Sequence, residues 1–156
     1  MRDDIKTLFT DLIKHLNLKK ELLHTLLEKE KTISSLLKYN NETEDDVKKI
    51  IEDENYIIDE INVEDYNISH IRDEITRRYG FDFKKIFIKG YKSAEDEIID
   101  YKNEILIQEQ IISDMIKLKK ENNNNLENYA DDLKVQIEEL AGIERLRYVI
   151  KDLQSS

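Results

Sequence analysis

Apolar residues recur near the start of the chain at alternating steps of three and four: Ile5, Phe9, Leu12, Leu16, Leu23, Leu26, Ile33 and Leu37. Lys19 and Glu30 stand at the two places where charge interrupts the row. This spacing keeps one face of an α-helix apolar. A second row, Leu8, Ile13, Leu22, Leu27 and Leu36, widens that face beyond a two-stranded seam, so the helix is predicted to touch more than one neighbour. It is predicted over residues 3–39, roughly 55 Å at 1.5 Å per residue. Asn40-Asn41-Glu42-Thr43 ends it, and Thr43 with Asp46 reads as a capping box that starts the next helix. That helix, predicted over 44–79, carries Val47, Ile50, Glu54, Ile57, Ile61, Glu64, Ile68, Ile71, Ile75 and Arg78 in its row, with Gly80 as a left-handed C-terminal cap. Two helices of near-equal length joined by a short turn predict an antiparallel hairpin.

Residues 81–90 lose the period. Phe81, Phe83, Ile86, Phe87 and Ile88 alternate irregularly with Lys84, Lys85 and Lys89, which predicts a loop with at most one helical turn. Three of the four Phe fall here, and two roles suit them: a plug for the end of the bundle, or an exposed aromatic and basic docking loop. Ser93 followed by Asp96 signals another N-cap, and Ala94, Ile98, Tyr101, Ile105, Ile112 and Met115 carry a third helix over 93–121. The four asparagines at 122–125 weaken helix enough to kink or interrupt it. An apolar row then resumes over 126–153 with Leu126, Tyr129, Leu133, Ile137, Leu140, Ile143, Leu146, Ile150 and Leu153. The fold class predicted is all-α: one helical domain over 1–156, a long antiparallel hairpin followed by a third helix that either breaks at the asparagines or runs on through them, and a C-terminal amphipathic segment.

Composition agrees with this and narrows the function. With no Pro, three Gly and 38% charged residues, the chain favours long helices over turn-rich β architectures. Absence of Cys removes disulfide frameworks and Cys-ligated metals and fits a cytoplasmic location. No apolar run approaches the roughly 20 residues that span a bilayer, and the N-terminus does not read as a signal peptide. A net charge of -10 repels phosphate backbones, so nucleic acid is not an expected partner. The charge is uneven. Residues 40–80 hold 13 acidic and 5 basic side chains, whereas residues 1–39 hold 8 basic and 6 acidic, so the two hairpin helices should attract each other. The acidic helix is read as a solvated face or as a docking surface for a basic partner.

Candidate chemistry is thin. Glu21-x-x-His24 places a carboxylate and an imidazole on one helix face, as in half of a di-iron site, but His15 and His70 lack a carboxylate three residues before them. No metal and no cofactor are expected. Adjacent acids such as Asp45-Asp46, Asp131-Asp132 and Glu138-Glu139 are what 35 acidic residues in 156 produce by chance. A Gly-rich phosphate loop and a nucleophile elbow are both missing, so an enzyme is not expected. Eight dispersed Tyr suit the rims of helix packing.

The stretches LLHTLLEKEKTISSLL at 22–37, VKKIIEDENYIIDEI and HIRDEITRRYG within 47–80, and NNNNLENYADDLKVQIEEL at 122–140 resemble the FlgN-type flagellar export chaperones. The order of long helix, acidic turn, long helix closing on Gly, and Asn-interrupted amphipathic helix also follows that family. The resemblance implies a cytoplasmic, non-catalytic chaperone that holds hook-filament junction subunits and passes them to the type III export gate. It further implies that the C-terminal region takes the subunit and that a C-terminal Tyr meets the gate, with Tyr129 the nearest match and Tyr148 competing. Loop 81–90 has no counterpart in the resemblance. The partner-binding residues expected are Leu126, Tyr129, Leu133, Ile137, Leu140, Ile143 and Leu146, because an apolar face behind a soft tether can first dock on its own bundle and then receive an amphipathic client. The alternative is a coiled-coil scaffold that satisfies the same rows by homo-oligomerising, a homodimer being its simplest form.

Overall fold

The computed structural model describes residues 1–39 and 44–125. Three long helices result: α1 at Asp3–Tyr39, α2 at Glu44–Tyr79 and α3 at Asp96–Asn125, with a short 3-10 turn at Phe83–Phe87. The fold is an all-α helical bundle, and both long hairpin helices have the bounds the sequence predicts. Thr43, half of the predicted capping box, lies outside the described residues. Gly80 stops α2 as expected: at φ 66° its amide returns to the Thr76 carbonyl, a backbone shape an L side chain resists.

Helix α1 is the middle of the arrangement. It packs against α2 on one side and α3 on the other, while α2 and α3 make almost no approach to each other. The double apolar row of α1 explains this, since one wide stripe serves two neighbours. Contacts along its length set the directions: Asp4 meets Tyr79 and Lys19 meets Asp65, so α2 runs antiparallel, whereas Met1 meets Glu95 and Glu30 meets Lys119, so α3 runs parallel to α1. The core joins Phe9, Leu12, Leu16, Leu23 and Leu26 of α1 to Ile58, Ile61, Ile68 and Ile75 of α2 and to Tyr101, Ile105, Ile112 and Met115 of α3. Opposite net charges of the hairpin helices appear as the cross-helix pairs Lys19 with Asp65 and Lys29 with Asp53, and His15 is hydrogen-bonded to Glu64 between the same two helices.

The aromatic stretch closes one end. Phe83, Ile86 and Phe87 are buried, and Phe9, Phe81, Phe83 and Tyr101 meet edge to face or tilted at 4.9–6.5 Å between ring centres. Arg72 lays its guanidinium over Phe83 at 5.1 Å, and the Asp82 carboxylate accepts the Lys84 amide to cap the 3-10 turn. The plug is therefore what these residues form, while Ile88 and the three lysines face outward.

Two boundaries depart from the sequence reading. Helix α3 starts at Asp96 rather than at 93, because the Ser93 hydroxyl accepts the Glu95 amide in a local turn ahead of the helix. The helix also continues through the asparagines to Asn125 instead of stopping at 121. The reason is tertiary: Asn122 is buried, and its amide donates to the Glu30 carbonyl at 3.1 Å and to Glu30 Oε2 at 2.8 Å. Two buried hydrogen bonds outweigh a propensity cost of about half a kcal/mol per asparagine.

Candidate functional site

The seven residues expected to hold a partner, Leu126, Tyr129, Leu133, Ile137, Leu140, Ile143 and Leu146, lie outside the described residues, as do Tyr148 and the rest of the 126–153 segment. What the described residues bring together are two features, a buried polar cluster and an outer groove.

The cluster forms where the interruptions of the apolar rows meet. Glu30 of α1, Glu54 of α2, and Lys119 and Asn122 of α3 are all buried at one level of the bundle. Lys119 Nζ donates to Glu30 Oε1, and Asn122 completes the other oxygen. Burial, then the charge of Glu30 and a hydrogen bond to its side chain, push the Glu54 carboxyl up to about 9. The charged form of Glu54 is thus disfavoured in the folded chain. A second layer lies towards the plug: Lys19 Nζ stands 2.6 Å from Asp65 Oδ1 inside the bundle, and Gln108 donates to the Leu16 carbonyl at 2.8 Å. Such layers fix helix rotation, because slipping one helix by a residue would strand a buried charge.

Glu54 has a sign that can be worked out. Its folded value lies above the ordinary 4.5, so the unfolded chain ionises first as pH rises. This group's contribution to stability is complete below pH 4.5, declines from there up to about 9, and is flat above that. Glu54→Gln keeps the hydrogen-bonding shape without ionising. It is expected to stabilise the fold at pH 8 by about 2–3 kcal/mol and to flatten the fall between pH 5 and 9. Thermal unfolding across that range checks it; an unchanged pH profile would mean Glu54 is ionised in the fold.

The groove lies on the outer side of the hairpin. Leu18, Leu22 and Thr25 of α1 and Val63 of α2 line about 460 Å³, with Glu21, Glu60 and Glu64 beside them. Around it α2 exposes Tyr56 (73%), Val63 (60%) and Tyr66 (70%), and Tyr66 stacks on His70 at 6.3 Å with the rings nearly parallel. Tyr56, Val63 and His70 recur every seven residues, which sets an apolar and aromatic seam on the solvent face of an otherwise acidic helix. The sequence reading missed this seam because its residues fall off the main row; the seven-residue spacing was the signal available.

Glu21 and His24 are both exposed, His15 is engaged by Glu64 at 2.6 Å, and no three potential ligands converge among the described residues. Stable zinc or iron sites need three or four protein ligands. Protein purified without a His tag is expected to retain no stoichiometric metal after chelator treatment, by elemental analysis; one retained equivalent would contradict this. Among the described residues no helix is long and apolar enough to cross a membrane. Compared with protein-family models, curated proteins and solved structures, the chain matches none.

Proposed function

We propose that this chain is a non-catalytic cytoplasmic chaperone that holds an amphipathic segment of a protein client, the flagellar hook-filament junction subunits being the class its sequence resemblance suggests, and hands it to the export gate. The observation that carries the reading is the apolar surface the bundle leaves uncovered: the groove at Leu18, Leu22 and Val63, and the exposed Tyr56 and Tyr66 rings of α2. Large exposed apolar patches rimmed by polar residues mark protein contact. Acidic rims at Glu21, Glu60 and Glu64 favour a client helix with basic flanks. The C-terminal row from Leu126 to Leu146 remains the client-holding element in this proposal, and the hairpin groove is a second contact surface for the client.

The same seam supports a second reading, a scaffold that pairs through Tyr56, Val63 and His70, since seven-residue spacing is what a helix-to-helix contact with a second copy uses. The two part on concentration. Light scattering over a dilution series, with and without junction subunits, is expected to show a species whose mass changes on adding client. A fixed oligomer indifferent to client would establish the scaffold.

A further inference from the structure

The plug that closes the bundle is apolar within and cationic without. Residues 77–92 hold six basic side chains and one acidic, in a chain whose net charge is -10. All six, Arg77, Arg78, Lys84, Lys85, Lys89 and Lys92, are exposed. Glu74 engages Arg78, while the other five join no ion pair among the described residues. The stretch is held in shape from below and from within. Phe83, Ile86 and Phe87 anchor it in the core, and past them the Tyr91 amide returns to the Ile88 carbonyl at 3.0 Å across Lys89 and Gly90. Gly90 has φ 89°, the positive angle that a type II turn requires at its third residue. This turn carries Ile88 outward, 50% exposed, with Lys85 and Lys89 flanking it along the chain.

We infer that this end of the bundle is a docking surface for an anionic lipid membrane, met end-on, with Ile88 entering the headgroup boundary and the lysines resting on lipid phosphates. Charge complementarity calls for an anionic occupant, and the form of the tip selects lipid. Basic residues gain from the negative potential of a leaflet, and an apolar side chain among them gains from the acyl boundary. Single-stranded nucleic acid is held by exposed rings that stack on bases, whereas Phe83 and Phe87 are buried in the plug and the tip is aliphatic. An acidic protein segment would favour a concave seat, and the groove at Leu18 and Val63 lies on the flank of the hairpin instead. The acidity of the chain does not prevent the contact. Exposed Glu52, Asp59 and Glu60 lie roughly 25 Å or more along α2 from Arg77, about three screening lengths of about 8 Å at physiological salt. Nearer acids are engaged: Glu74 by Arg78, Asp4 by the Tyr79 hydroxyl, Glu95 by the N-terminal amine and Asp82 by the Lys84 amide. Asp3, Asp73 and Asp96 stand exposed nearby, which confines the attraction to the loop itself. The inference goes beyond the chaperone reading and does not rest on it.

Sedimentation of the full chain with vesicles tests it, phosphatidylcholine alone against equal parts of phosphatidylcholine and phosphatidylglycerol. At low salt the anionic vesicles are expected to retain about tenfold more protein, and physiological salt to weaken that retention severalfold. Lys84→Glu, Lys85→Glu and Lys89→Glu together should abolish the difference. Lys48→Glu, Lys49→Glu and Lys117→Glu, an equal change of charge at exposed lysines away from the plug, should leave most of it. Circular dichroism checks that both triple variants stay helical. The chain has no Trp, so Ile88→Trp places a single reporter at the tip, and its emission should shift to the blue on anionic vesicles. No retention on anionic vesicles, as a site for an acidic protein would give, overturns the inference. Equal retention on both kinds of vesicle, equal loss in both triple variants, or an unshifted emission from Ile88→Trp overturns it too. Client titration in the absence of lipid reads the chaperone proposal separately.

Discussion

Replacing Ile61 by Asp should unfold the bundle at physiological temperature. Ile61 is 0% exposed in the middle of α2, within the cluster that joins all three helices. An aspartate there removes a branched side chain from close packing and brings a carboxylate to a place where the apolar neighbours offer it no hydrogen bond. The combined loss is about 4–5 kcal/mol, a large part of the 5–15 kcal/mol that holds a domain together. Chemical denaturation monitored by circular dichroism measures it. A midpoint unchanged from the parent would mean that α2 does not turn this face to α1.

Removing the ammonium of Lys119 should cost nearly as much, for a different reason. Lys119→Met preserves most of the stem but leaves the Glu30 carboxyl buried without its cation, with Asn122 as its remaining donor. Breaking a buried pair from one side destabilises by about 3–5 kcal/mol, because the surviving charge has lost both water and partner. Replacing both members, Lys119→Met with Glu30→Leu, should recover most of that loss, since apolar residues of similar size often substitute for a buried ion pair without penalty. The four unfolding curves form a double-mutant cycle. Additive losses would show that Glu30 and Lys119 do not depend on each other, contrary to the geometry.

How much of this was legible depended on the physics involved. The bounds of α1 and α2 follow from local signals, an apolar row of constant period and a glycine stop, and the fold keeps them. The intrusions at Lys19, Glu30 and Glu54 were also visible as charges in apolar rows. Their partners were not, because Asp65, Lys119 and Asn122 are set by how three helices rotate about one another, a tertiary fact that no single helix encodes. Asn122 shows the limit most plainly: its propensity argues for a weak point, and its position makes it a core residue. The aromatic cluster was readable as a plug from composition and place, though not that Arg72 would stack on it. Of the candidate site, the C-terminal row was read from its period alone, while the hairpin groove needed two helices side by side before Leu18 and Val63 could meet.

The central claim is that this bundle holds a protein client through its uncovered apolar surface. Calorimetric titration of purified chain with a hook-filament junction subunit tests it most directly, run on the parent, on Leu18→Asp with Val63→Asp, and on Leu133→Asp with Leu140→Asp, each confirmed helical by circular dichroism. The account predicts saturable binding by the parent and at least tenfold weaker binding by both double variants, one tenfold step being about 1.4 kcal/mol. Absence of heat with the parent, or equal affinity in all three proteins, would contradict it.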